Sequence, residues 1–230
     1  MPDKSEIIVQ PETPAANAKR EPEIRSHRRD LFEIAAVFLL IMAAVWTPQG
    51  PSNSFFSLSS AACVLVIACA ARWTSREMGL AQPLAGAGTM LLSGAALCGA
   101  IWVAGYALRP IGPSYPIPWN RAWQYAIWVV VQQFILQSIF FTRLETMMTS
   151  RGAVICAASL YAAAHIPSPL LTVLSFFGGL LFCELFRRWR NIFPLGIIHA
   201  ALGLMIAANF PDKWLHHMRV GIGYLTGQHW

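Results

Sequence analysis

The sequence predicts an all-α fold: a polytopic membrane bundle of about seven transmembrane helices. Three observations predict it. Of the 230 residues, 56% are hydrophobic and only 12% charged, with a mean hydropathy of +0.48, whereas soluble domains carry about a quarter charged residues. The apolar residues fall into runs that approach the roughly 20 residues needed to cross a bilayer, separated by breaks rich in Pro, Gly or Arg. Six of the 17 Lys and Arg lie in the first 29 residues, and most others sit at the ends of apolar runs, where bilayer anchors belong. No basic stripe interleaves with aromatics, so the net charge of +6 does not point to nucleic acid.

Taken in order, residues 1–26 are polar, with Pro2, Pro11, Pro14 and Pro22, mixed charge and no apolar core of a signal peptide. They are expected to form a disordered cytoplasmic tail. Residues 27–210 form the expected membrane helical domain. Its first span, 31–46, is short unless Asp30 and Glu33 sit at the interface. Residues 47–54 make an uncharged, turn-rich loop, and 55–73 the second span, closed by Arg72, Trp73 and Arg76. Residues 74–83 are expected along the surface. The third span, 84–108, is rich in Gly and Ala, which suits close helix packing. Four prolines make 109–120 a rigid loop outside the bilayer.

Residues 121–142 are the fourth span, 151–166 the fifth, ended by Pro167 and Pro169, and 168–186 the sixth, followed by the basic stop Arg187-Arg188-Trp189-Arg190. Residues 192–210 are the seventh. The tail 211–230 carries Lys213, His216, His217, Arg219 and several glycines and receives no assignment. With the N-terminus inside, the inner segments hold 13 basic residues and the outer ones 4, as the positive-inside rule requires. The expectation is an integral protein of the plasma (inner) membrane with a cytoplasmic N-terminus. No internal repeat suggests an inverted-repeat transporter. The five cysteines, Cys63, Cys69, Cys98, Cys156 and Cys183, all fall in apolar segments without CxxC spacing, and read as small hydrophobes rather than a disulfide or metal framework.

The fourth span contains VVVQQFILQSIFFTRLE, residues 129–145, an apolar run holding Gln132, Gln133 and Gln137. At about 100° per residue, Gln133 and Gln137 stack one turn apart, with Gln132 just round the corner. Each amide needs a partner, because an unpaired polar group in hydrocarbon costs several kcal/mol. His165, Glu184 and His199 are the other conspicuous polar groups in the spans, and a buried ionisable group in a membrane marks a candidate site. A lone histidine or glutamine also serves to hydrogen-bond a neighbouring helix. At 1.5 Å per residue, Gln133 lies roughly 18 Å from Arg121, His165 roughly 21 Å from Arg151 and His199 about 13 Å from Arg190, a rough match in depth. Two histidines without HExxH fall short of a Zn site, which wants three or four Cys, His or carboxylate ligands. No metal or other cofactor is expected.

Three blocks, Gln132-Gln133-Phe134-Ile135-Leu136-Gln137, Tyr161-Ala162-Ala163-Ala164-His165 and His199-Ala200-Ala201-Leu202-Gly203, together resemble the motifs of the CPBP group (CAAX proteases and bacteriocin-processing enzymes, also called ABI). Those motifs are EExxxR, FxxxH and HxxxN or HxxxD. The resemblance covers about 123–203, within a core of about 121–205. It implies a helical membrane fold enclosing its site, and cleavage of peptide bonds in or near the membrane by a glutamate-activated water with histidines supporting the oxyanion. The carry-over is direct for His165 and His199. Gln132 and Gln133 stand where the paired glutamates should be, Gln137 where the arginine should be, and Gly203 where Asn or Asp is usual.

A general base must accept a proton, which a buried carboxylate can be tuned to do. A side-chain amide keeps the shape and hydrogen-bonding capacity but has no useful proton affinity. Losing general-base catalysis costs about 10²–10⁴-fold in rate. Three amides leave a neutral network with no ion pair to desolvate. Glu184 is the carboxylate left inside an apolar stretch; it sits one turn from Arg187-Arg188, so pairing with them competes with service as a surrogate base. Three functions follow: an intramembrane protease-like hydrolase with impaired or altered catalysis; a non-catalytic module in the lipid bilayer that binds a lipidated or membrane-embedded protein or peptide; or a lipid- or isoprenoid-acting enzyme using His165 and His199.

Overall fold

Why the chain breaks into helices where it does is visible at their ends. The computed structural model describes residues 14–70, 73–108 and 118–227, with side chains from residue 27 onward. Helix α1 (Pro14–Trp46) begins within the segment expected to be an N-terminal tail; residues 1–13 lie outside the described residues. Helix α2 (Pro51–Cys69) starts on a proline, whose missing N–H has no intrahelical role in the first turn. Helix α3 covers Ala87–Leu108. Most of the proline-rich loop, residues 109–117, lies outside the described residues. Trp119 and Asn120 already belong to α4 (Trp119–Gln133), which continues without a break through a π-helical segment (Phe134–Phe141) into α5 (Thr142–Met147).

Helix α6 (Ser150–Ala163) is capped by Thr149, whose Oγ1 accepts from the Gly152 N–H at 3.2 Å. Helices α7 (Pro169–Trp189) and α8 (Phe193–Asn209) again carry proline in the first turn, and Arg190 closes α7 in the left-handed conformation with φ 46°. The tail left unassigned by sequence folds into two short helices, α9 (Asp212–Leu215) and α10 (Gly221–Thr226), with a 3₁₀ turn at His216–Met218 between them. The described residues contain no strand.

Each of the seven apolar segments is helical, but length and apolarity single out four that can cross a bilayer: Pro51–Cys69, Ala87–Leu108, Trp119–Met147 and Pro169–Trp189. Four is therefore the number of spans supported, where about seven were expected. Helix α1 is charged in its first half. Helix α6 has 14 residues, a rise of about 21 Å against a hydrocarbon core of about 30 Å. Helix α8 is apolar but shorter than the four. Exposed Phe55, Leu58, Leu92, Trp102 and Phe177 give the bundle an apolar outer face, as an integral membrane protein requires.

Trp119–Met147 is the central rod: 56% of its apolar window is buried, against 11–33% in the other three. Leu136, Ile139, Phe140, Phe141 and Leu144 from this rod meet Val37, Met90, Ala157, Phe182, Phe186 and Leu195 in one core. Glycines set two of the close approaches. An added Cβ on Gly94 or Gly105 of α3 would come within 2.6 Å of Ile198 or 2.7 Å of Asn209 on α8, so these helices touch along their small residues. Both pairs advance by 11 residues, which makes α3 and α8 parallel. The loop before α3 docks on the α7–α8 corner: Asn191 Nδ2 donates to Pro83 O at 2.8 Å and to Ala85 O at 2.9 Å, and Ile192 N donates to Gly79 O at 3.2 Å.

The π segment shifts the register of the central rod, and side chains add to the bonding of its carbonyls: Thr142 Oγ1 donates to Gln137 O at 2.8 Å, alongside the Thr142 backbone N–H, and Arg143 Nη1 to Ser138 O at 3.0 Å and Ile139 O at 3.2 Å. Such π stretches recur at functional sites, and this one carries Gln137.

Candidate functional site

The polar groups of three helices meet beside the core. Gln133 and Gln137 on the central rod have no exposed surface. Gln137 Nε2 donates to Gln133 Oε1 at 3.2 Å, and Gln133 Nε2 lies 3.0 Å from Nδ1 of His199 on α8. An amide N–H can only donate, so Nδ1 accepts and the neutral ring carries its proton on Nε2. That Nε2 lies 3.1 Å from the hydroxyl of Tyr161 on α6, and the Tyr161 hydroxyl in turn donates to Gln132 Oε1 at a longer 3.4 Å. The result is a one-way chain of donors, Gln137 to Gln133 to His199 to Tyr161 to Gln132. Every member is neutral, and both nitrogens of His199 are committed. The chain starts at Gln137, whose Oε1 is buried without a hydrogen-bond partner among the described residues.

Among the described residues His165 joins the cluster through Tyr161. It sits in the turn after α6, its Nδ1–H donates to Tyr161 O at 2.8 Å, and its ring packs edge-on to the phenol with centroids 4.8 Å apart. A carbonyl can only accept, so the neutral His165 ring leaves its Nε2 lone pair uncommitted. The ring of His199 rests between Tyr161 and Phe182, 6.0 and 5.0 Å away. The structure thus brings Gln132, Gln133, Gln137, His165 and His199 into one connected group.

Tyr161 is the member that sequence reasoning passed over, although the group is joined through it. In the sequence it stands as the aromatic residue of the Tyr161–His165 block. A phenol four residues before a histidine on an apolar helix was the available signal.

No carboxylate reaches this group among the described residues. Both oxygens of Glu184 are taken by Arg187 at 2.8 and 2.9 Å and by Arg188 at 2.7 Å, so the interfacial pairing is the one formed. Glu145 pairs with Arg190, whose guanidinium also lies over the Phe141 and Phe186 rings at 5.5 and 5.2 Å. Glu33 is buried against Arg143 and Arg29, each at 2.7 Å. No cluster of three or more His, Cys, Asp or Glu converges as a metal site among the described residues. Chemically, the group can donate and accept hydrogen bonds in fixed directions, and its one uncommitted basic atom is His165 Nε2.

A family model described as type II CAAX prenyl endopeptidase Rce1-like matches residues 115–205. The match spans α4 to most of α8 and contains every member of the hydrogen-bonded group. It agrees with the CPBP resemblance of the three motifs and supports a CAAX-protease-like fold for that segment. No curated protein and no solved structure matches the chain.

Proposed function

We propose that this is a CPBP-type, intramembrane protease-like protein in which the glutamate-dependent hydrolysis is disabled and the recognition of a lipidated or membrane-embedded client is what remains. The observation that carries the reading is the closed sequence of donors from Gln137 to Gln132. Water activation needs a proton acceptor at the site of attack. Here the positions that would supply it hold amides, the neighbouring imidazole of His199 is bonded at both nitrogens, and the uncommitted His165 Nε2 belongs to the turn after α6, away from the glutamate positions in the chain. In the same reading residues 27–210 are the membrane domain, with the N-terminus cytoplasmic in the plasma (inner) membrane.

Client binding is favoured by a second feature close by. A shallow, open and mainly apolar depression of about 380 Å³ lies between α6 and α7, its walls including Ser159, Ile166, Thr172, Val173, Phe176 and Phe177, next to the turn that holds His165. Its walls suit an acyl or isoprenyl chain, with the polar group within reach of whatever the chain is attached to.

The test uses the full chain in detergent micelles with a fluorescent farnesylated tetrapeptide. Binding without fragments is the expected outcome. Peptide cleavage by the wild type, abolished by Glu184→Gln, would instead establish a surrogate base and overturn the reading. An altered lipid profile on deletion, with no peptide bound, would favour the lipid-acting alternative. The double change Gln132→Glu with Gln133→Glu is expected to restore measurable cleavage if the helices keep protease geometry.

A further inference from the structure

Gly203 lies one turn beyond His199 on α8, and something else occupies the room its side chain would take. A Cβ built there would overlap the hydroxyl of Tyr125 and come within 2.7 Å of its Cζ. The phenol of Tyr125 therefore crosses from α4 and rests its oxygen on the α8 backbone. Tyr125 precedes Gln132 and Gln133 by seven and eight residues, two turns on the same face of α4. Helices α4 and α8 run antiparallel here: Gly196 opposes Val130, while Gly203 opposes Tyr125. The hydroxyl thus lies about 6 Å along α8 from His199.

The two tyrosines differ in one respect. The Tyr161 hydroxyl is bonded on both sides within the group. The Tyr125 hydroxyl makes no hydrogen bond among the described residues. A phenol O–H placed beside a polar group in a membrane protein and left without an acceptor carries an unused donor.

The geometry points to Tyr125 as a ligand-binding residue of this site, its hydroxyl seated in the space that Gly203 leaves and available to donate to a backbone carbonyl of the bound client. This deepens the client-binding reading and rests on it. It makes the ligand class more specific: an extended peptide that presents a carbonyl beside His199, rather than a bare lipid. Gly203 is part of the device, because any side chain there evicts the hydroxyl.

The experiment compares Tyr125→Phe with Tyr161→Phe in the full chain, by thermal unfolding in detergent and by binding of two probes, a farnesylated tetrapeptide and farnesol. A donor with no internal partner is expendable to the fold, so Tyr125→Phe is expected to melt with the wild type, whereas Tyr161→Phe melts lower. Deleting one hydrogen bond to the peptide is expected to weaken its binding about three- to tenfold and leave farnesol binding unchanged. Gly203→Ala is expected to weaken peptide binding similarly. A lowered melting temperature for Tyr125→Phe, or equal losses for both probes, would assign the hydroxyl a structural role and overturn the proposal. Wild-type binding of the peptide with an unaltered constant for Tyr125→Phe overturns this proposal alone. No binding of either probe by the wild type overturns the client reading, and this one with it.

Discussion

Gln133 and Gln137 are fully buried on the central rod and bond to neutral groups, whereas less than two turns further along the same rod Arg143, equally buried, bonds to the carboxylate of Glu33 at 2.7 Å. The charged cluster sits toward the end of the rod, where Arg29 and Trp73 also reach it, the latter with its ring 5.9 Å from the guanidinium. The neutral group sits nearer the middle. The difference follows from solvation. A buried charge is tolerated only when its partner is in place, because desolvating either ion alone costs several kcal/mol. An amide needs only a hydrogen-bond partner. Replacing an acid–cation set by three amides therefore removes the demand for exact charge balance at mid-depth, at the expense of the proton chemistry that balance would support.

Breaking the charged cluster is expected to have the largest effect. Arg143→Met removes the buried one of the two arginines paired with Glu33 and the donor to two π-segment carbonyls, and is expected to cost about 3–5 kcal/mol in a denaturant titration in detergent. Adding Glu33→Leu is expected to recover much of the loss, since no ion is then stranded.

In the neutral group the penalties are smaller. Gln133→Leu leaves both Gln137 Nε2 and His199 Nδ1 without their partners, and is expected to cost about 1–3 kcal/mol by the same titration. Combining it with Gln137→Leu is expected to cost less than the sum, which a double-mutant cycle reads directly. Tyr161→Phe removes one bridge and is expected to cost about 0.5–1.5 kcal/mol. The ¹⁵N shifts of His199 sharpen the same point: the wild type is expected to show the Nε2-protonated tautomer, and a protonated Nδ1 would break the order of donors described above.

Smallest of all is Glu184→Gln. Its partners Arg187 and Arg188 are solvent- or headgroup-facing, where ion pairs contribute little. No resolvable shift in melting temperature is expected, and none in peptide binding.

Much of this was legible in the residues. Hydropathy placed the helices because burial of apolar surface is dictated by composition over a window of residues; prolines sit in the first turns of α2, α7 and α8, although residues 51–54 were expected in a loop. The number of crossings was less legible: α6, with its 14 residues, is a helix of the bundle that falls short of a bilayer's thickness. Among site residues, glutamines and histidines stand out in apolar runs because each has to find a partner. Tyr161 and Tyr125 do not stand out, since a tyrosine in a membrane helix reads first as an aromatic ring. Nor does the Glu33–Arg143 pair, whose members are 110 residues apart and share no local pattern.

What the sequence determined by itself was the solvent of the fold and the chemistry available in it: long apolar runs demand helices in lipid, and amides in place of acids exclude a carboxylate base at those positions whatever the packing. Only the tertiary structure decided which groups face each other. The direction of the hydrogen-bonded chain, the tautomer of His199 and the meeting of Tyr125 with Gly203 depend on the crossing of helices distant in the chain and on a π-helical change of register. A side chain's partner across a helix interface is fixed by rotation and depth to within an ångström or two, a precision that the periodicity of any single helix cannot supply.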